Sequence, residues 1–302
     1  MLEIKNLHKS YKDFKVLDGL YMTINRGDIY GFLGKNGCGK TTTMNIVCNI
    51  IPKDDGEIIL GEDGTNEIKT GYLPESPALF AYMNGYEYLG YIAYCAGLKE
   101  NVQERIAEVL SITGMTEGAK RRIKGYSRGM NQRLGIAAAI IDRPQLLILD
   151  EPTSALDPEG RAEVMNIIRN LSDAGTTILL CTHILSDVER VANRVGILTG
   201  GRLAVEGSIE EILSNFGTNS VEIQFSAEDA ETVDILRNSG AFTGVDYYEK
   251  NLLAVCSAEN AEAGMTAAMR ILADRNSAVS GIKLARPTLE QVYLSINGGS
   301  RQ

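Results

Sequence analysis

The chain has 302 residues, 44% of them apolar and 23% charged, enough for one large globular domain and a smaller one. A formal net charge of −9 speaks against a broad phosphate-backbone surface and two histidines against a zinc site, while five scattered cysteines (38, 48, 95, 181 and 256) read as reduced thiols. No run approaches the roughly 18 apolar residues of a membrane span, and Leu2-Glu3-Ile4-Lys5-Asn6-Leu7 alternates like a strand rather than a leader, so a cytoplasmic chain is expected.

In chain order, the first two-thirds alternates buried strands with helices. Asp28 to Leu33 is predicted as a strand and Gly39 to Ile50 as a helix entered through glycines. Tyr86 to Ala96, Val102 to Thr113 and Met130 to Ile141 carry helical spacing and read as an inserted helical block. Gln145 to Leu149 and Thr176 to Cys181, rich in leucine and β-branched residues, look like buried parallel strands. A ribbon (Val195 to Leu198 and Arg202 to Val205, around Gly200-Gly201) and a short helix near Glu210 to Ser214 follow. The polar stretch Asn215-Phe216-Gly217-Thr218-Asn219-Ser220 reads as a linker. Beyond it come a strand (Val221 to Phe225), a helix (Glu228 to Asn238) and a hairpin (Gly244 to Tyr248 with Leu252 to Cys256). A helix (Ala261 to Asp274) and a strand (Val279 to Leu284) follow, and Pro287-Thr288-Leu289 opens a last helix. That βαββαβ order predicts a small α+β domain of ferredoxin-like form.

Chemistry concentrates at three strand ends. Gly34-Lys35-Asn36-Gly37-Cys38-Gly39-Lys40-Thr41 fits G-x-x-x-x-G-K-[ST] between a predicted strand and a predicted helix. Its glycines let the backbone wrap phosphate oxygens, and the helix start adds a positive end. Lys40 suits the β- and γ-phosphates, the Thr41 hydroxyl a Mg²⁺ ion, and Thr42 the α-phosphate side. Cys38, between two glycines, meets a demand for a small side chain; the sharper alternative is a thiol acidified by the helix amides. Leu146 to Leu149 ends in Asp150-Glu151, which places two carboxylates where open α/β sheets bind ligands. Asp150 suits the Mg²⁺ shell, and Glu151 can orient or deprotonate an attacking water. His183 ends the next strand in the same way, placed to hydrogen-bond a transferred phosphoryl group.

Together these residues resemble the ABC ATPase family, and the resemblance runs over essentially the whole chain. Tyr126-Ser127-Arg128-Gly129-Met130-Asn131-Gln132-Arg133 is similar to the family signature, and Leu149 to Asp157 to its Walker B and D-loop run. Thr182-His183-Ile184-Leu185 resembles the H-loop. Gly71-Tyr72-Leu73-Pro74-Glu75 occupies the Q-loop position, with Glu75 near metal-bound water, and Tyr11 stands where the adenine-stacking aromatic belongs. Arg128 replaces a glycine and Glu75 a glutamine, changes familiar in the exporter ATPases related to bacitracin, daunorubicin and lantibiotic export. Pro287 to Leu294 resembles the ending of that branch, whose accessory domain is held to assist dimer assembly or regulation.

The resemblance implies an α/β P-loop ABC ATPase domain over 1–215, with an antiparallel β subdomain and a helical subdomain over about 76–142, and an accessory domain over 220–302. It implies an ATPase that forms a homodimer or heterodimer and sandwiches two MgATP, Ser127 and Gly129 meeting the γ-phosphate held by the other copy. A separate polytopic permease is the implied partner, with the chain peripheral at the inner face of the cell membrane and no nucleic acid bound. Phe80-Ala81-Tyr82-Met83 with Tyr86, Tyr88 and Tyr91 would form the partner groove, although core packing is the plainer reading of those tyrosines. A soluble ABC ATPase acting on a cytosolic assembly is the alternative. An ordinary P-loop kinase leaves Ser127 to Arg133 and His183 unexplained.

Overall fold

The structure is a computed structural model that describes residues 1–61, 68–215, 219–285 and 288–298. The chain divides into two compact units, one of Met1–Ile212 together with the chain from Ile296 onward, the other of Leu213–Ser295.

Two long strands open the first unit, β1 (Leu2–Tyr11) and β2 (Phe14–Ile24), followed by β3 (Ile29–Gly34), α1 (Lys40–Val47) and β4 (Asp55–Leu60). β1 lies between β2 and β4 in a three-stranded antiparallel sheet. Leu2, Ile4 and Leu7 with Leu20, Met22 and Ile24 turn one face of it into a core shared with Phe32 and Met44. The alternation at the N-terminus is thus that of a sheet buried on one side.

A second sheet carries the chemistry. It begins with β5 (Thr70–Leu73) and continues, after the helices α2 (Gly85–Cys95), α3 (Val102–Ile112) and α4 (Arg128–Ala139), with β6 (Leu146–Asp150). Then come α5 (Pro158–Asp173), β7 (Thr177–Thr182), α6 (Leu185–Val191), β8 (Arg194–Thr199), β9 (Arg202–Ser208) and α7 (Ile209–Asn215). The order is β5-β6-β7-β3-β8-β9, parallel except for the β8–β9 ribbon. Every residue of β3, β6 and β7 is buried, which is why those strands read as unbroken apolar runs.

The three helices form the expected block, and two of them start at a side-chain cap. Asn84 and Glu87 make a reciprocal capping box on α2 (3.0 and 2.9 Å), and the Ser127 hydroxyl accepts the Met130 N–H at 3.2 Å at the head of α4. With Ser127 as the cap, the helix begins at Arg128, two residues before the apolar spacing predicts. Phe80 packs edge-on against Tyr88 and Tyr91 and stacks on Tyr82. Tyr88 is buried, as the core reading requires, whereas Tyr82 and Tyr91 keep open surface.

The second unit contains β10 (Ser220–Phe225), α8 (Ala230–Asn238), β11 (Gly244–Tyr248), β12 (Leu253–Ser257), α9 (Ala261–Asp274) and β13 (Val279–Leu284), followed by α10 (Leu289–Gly298). Its antiparallel sheet runs β11-β12-β10-β13, the ferredoxin-like order. Val221, Ile223 and Phe225 pack against Val233, Leu236, Ala268 and Leu272 of α8 and α9. β12 starts one residue later than predicted, because Leu252 takes a left-handed φ of 50° and closes the turn. Phe216 to Thr218 of the expected linker, and Pro287, lie outside the described residues.

Candidate active site

Strand register brings the chemistry to one edge. β7 lies between β3 and β6, pairing Leu33 with Thr182 and Asp150 with Cys181, so the loops after all three strands emerge side by side. This is the carboxyl end of a parallel sheet, where such folds bind ligands.

The loop after β3 is shaped by glycine and by its own lysine. Gly37 and Gly39 have φ of 79° and 113°, in the left-handed region. A Cβ on Gly39 would also lie 2.9 Å from Leu17, so this position needs glycine twice over. Lys35, Asn36 and Gly37 form the exposed crest, and Gly34 and Gly39 are buried at its feet. The Lys40 ammonium is buried and donates to the carbonyls of Gly34 (2.8 Å) and Lys35 (3.3 Å). Thr41 donates to Asp150 Oδ2 at 2.8 Å; Thr42, next on the helix, is half-buried. Burial pushes the Cys38 thiol up despite the nearby Lys40 charge, which favours the small-side-chain reading over the acidified-thiol alternative, with the sulfur packed beneath Gly34.

The two carboxylates have different surroundings. Asp150 is buried, which raises its pKa above the usual carboxylate value, an effect the Thr41 hydrogen bond opposes. Its Oδ1 has no oxygen or nitrogen donor among the described residues; only the weak Cys181 thiol stands beside the carboxylate. A buried carboxylate oxygen without a donor, next to a threonine hydroxyl, is a donor set that a hard cation such as Mg²⁺ fits. No three His, Cys, Asp or Glu side chains are arranged to hold a metal ion among the described residues, so phosphate and water oxygens would complete such a shell.

Glu151 is held from every side. Its backbone is left-handed (φ 48°), and its N–H donates to the Cys181 carbonyl at 2.8 Å. Thr182 donates to Oε2 (3.1 Å), His183 Nδ1 lies 2.8 Å from Oε1, and the Lys40 ammonium is 3.8 Å from Oε1. The Thr182 oxygen also accepts the Ile184 N–H at 3.1 Å, which leaves its hydrogen to be aimed at Glu151. One turn on, Thr153 donates to Asp187 at 2.5 Å inside the protein and ties the loop after Glu151 to α6. Sequence spacing signals neither Thr182 nor this pair, since their partners lie 31 and 34 residues away.

The remaining expected residues sit elsewhere. Ser127 and Gly129 line a cavity of about 450 Å³ with Ala155, Leu156 and Asp157, and no residue of the loop Gly34 to Thr41 lines it. Glu75, exposed after β5, faces a cleft of about 600 Å³ that also reaches Glu151, Lys124, Arg128 and Gln132. Tyr11 ends β1 half-exposed, its ring centre 5.6 Å from the Lys9 ammonium. Among the described residues, no helix is long and apolar enough to cross a membrane.

Residues 17–154 match the ABC transporter family. An uncharacterized ABC transporter ATP-binding protein of Bacillus subtilis is 34% identical over 301 residues, covering 98% of this chain and 99% of its own. The daunorubicin resistance ATP-binding protein of Streptomyces coeruleorubidus is 31% identical over 310 residues, covering 100% of this chain and 97% of its own. Among solved structures, an ATP binding subunit of an ABC transporter aligns with a TM-score of 0.64 at 29% identity, over 72% of this chain and 93% of that one.

Proposed function

Because the chain belongs to the ABC transporter family as an ATP-hydrolysing subunit, we propose that it works as a dimer sandwiching two MgATP and drives export through a separate membrane-spanning subunit. The observation that carries this reading is the division of the site. Lys40, Thr41, Asp150, Glu151 and His183 are linked by short contacts at one sheet edge, while Ser127 and Gly129 line a different cavity. A second copy would supply the missing wall. The daunorubicin resistance name of one relative supports export rather than uptake. The two compact units support a division into an ATPase domain over 1–215 and an accessory domain over 220–302, to which this reading gives a part in assembly or regulation.

In this reading Lys40 exchanges its carbonyl partners for β- and γ-phosphate oxygens. Thr41 and Asp150 would hold Mg²⁺, with Glu75 near its water shell; the ion, when bound, offsets phosphate charge. Glu151, fixed by Thr182 and His183, orients the attacking water and takes its proton. His183 can donate to Glu151 and to the γ-phosphate together only when both ring nitrogens carry hydrogen. Ser127, Gly129 and the head of α4 face the nucleotide of the other copy, and Tyr11 stacks on adenine.

Glu151→Gln keeps the shape and removes the base. The variant should lose about a hundredfold or more of its hydrolysis rate and elute as a dimer only with ATP. Normal hydrolysis, or a monomer with ATP, would overturn this reading. Solubilised membranes should yield a polytopic protein with the wild-type chain; ribosomes or nucleic acid instead would support a cytosolic assembly role.

A further inference from the structure

We propose that Arg128 is a positioning residue for Glu75: the Glu75 carboxylate is received across the cleft by Arg128 and Gln132 of α4, which sets how Glu75 faces the hydrolytic centre. The inference deepens the ATPase reading and rests on it, but not on export or on the identity of any partner.

Three observations converge on one cleft. Glu75 lines it two residues beyond the end of β5, and β5 neighbours β6, which ends in Asp150 with Glu151 directly after it. Arg128 and Gln132 line the same cleft from α4, four residues apart and so on one face of the helix, Arg128 also bordering the cavity of Ser127 and Gly129. Neither Glu75 nor Arg128 has a side-chain hydrogen bond or ion pair among the described residues.

Each group has a physical reason to take the other. Arg128 is the first residue of α4, where a cation opposes the positive end of the helix, and the first turn carries no acid to offset it. Gln132 is only 8% exposed, and its Nε2 has no hydrogen-bond partner among the described residues, a buried donor that a carboxylate would satisfy. Glu75 can only accept, and it adds a negative charge to a cleft that already contains Glu151. One carboxylate that takes the Arg128 fork and the Gln132 amide resolves all three conditions. Lys124 is the rival cation in the cleft, but it stands on a separate turn and offers a point charge instead of a planar fork.

The pairing also spans two parts of the first unit, with Glu75 attached to the sheet and Arg128 to the helical block. It therefore couples the tilt of α4, and with it Ser127 and Gly129, to the charge beside Glu151.

A double-mutant cycle on the full chain with MgATP tests this. Arg128→Gln should lower kcat/KM about tenfold in the wild-type background and less than about twofold in Glu75→Gln, with thermal midpoints unchanged. Arg128→Lys should restore part of the loss, and the exchange Glu75→Arg with Arg128→Glu should exceed either single variant. Equal losses in the two backgrounds would mean that Arg128 acts on another group, such as the nucleotide of a second copy, and would overturn the proposal. So would no loss in the wild-type background, or coupling of Glu75 to Lys124→Gln instead. A wild-type chain that fails to hydrolyse ATP would refute the underlying ATPase reading, a result distinct from any outcome of the cycle.

Discussion

Thr182 shows how much one hydroxyl decides. Its oxygen accepts the Ile184 N–H and its hydrogen goes to Glu151 Oε2, so the carboxylate is held by a donor that cannot rotate away. A hydrogen bond to a charged group contributes roughly 1.5–3 kcal/mol. Thr182→Val should therefore lower kcat roughly ten- to a hundredfold with the KM for ATP unchanged, and Thr182→Ser should retain activity; steady-state kinetics on both variants decide it. The loop Gly34 to Thr41 and the acids Asp150 and Glu151 are legible as residues because each occupies one continuous stretch. The clamp on Glu151 is not, because it depends on the β6–β7 register rather than on spacing. Cys38 illustrates the converse: its place among helix amides suggests an acidic thiol, yet burial outweighs them.

At the scale of elements, α4 is fixed at both ends. Its head is capped by Ser127, and just past its end the carbonyls of Ile140, the C-cap, and Ile141 accept from the buried Arg105 guanidinium of α3. Glu108 closes that arrangement, bonded to Arg105 at 2.9 Å and to Arg143 at 2.8 Å. Arg105→Ala leaves the Ile140 carbonyl with the Arg143 N–H but strips the Ile141 carbonyl of its guanidinium donor, and should cost about 1–3 kcal/mol, read as a lower denaturation midpoint. The Arg105 hydrogen bond holds the Glu108 carboxyl below its ordinary value, with Arg143 adding to it. A depressed folded pKa gives stability that is present above the unfolded value of 4.5 and is lost as pH falls through the folded one. Glu108→Gln should flatten the acid limb of stability against pH. Element by element, the sequence is most readable where the pattern is pure, as in β6 and β7. β2 and β4 are not predicted, since irregular register between β1 and both neighbours breaks the alternation. α4 is read two residues late because Arg128 and Gly129 carry no apolar periodicity.

For the whole molecule, the two units have separate cores, one built around Phe32 and Met44 and the other around Phe225. Phe225→Ala removes a fully buried ring and should cost the second unit about 3–5 kcal/mol. Calorimetry should then show a separate early transition, with the transition of the ATP-dependent unit in place; one merged transition would show the cores to be coupled. The ferredoxin-like order of that second unit is legible because its strands and helices alternate with clean turns, whereas the arrangement of its sheet is known only from pairing. The separation of the cavity at Ser127 and Gly129 from the loop at Lys40 bears on mixed populations as well as chemistry. In the proposed dimer, a copy with a ruined Ser127 wall would keep its own loop but spoil the site of an intact neighbour. In a mixed dimer one of the two sites would stay complete, so mixing defective with intact copies should tell whether hydrolysis needs both sites: a loss in proportion to the defective share means independent sites, a steeper loss means coupled ones.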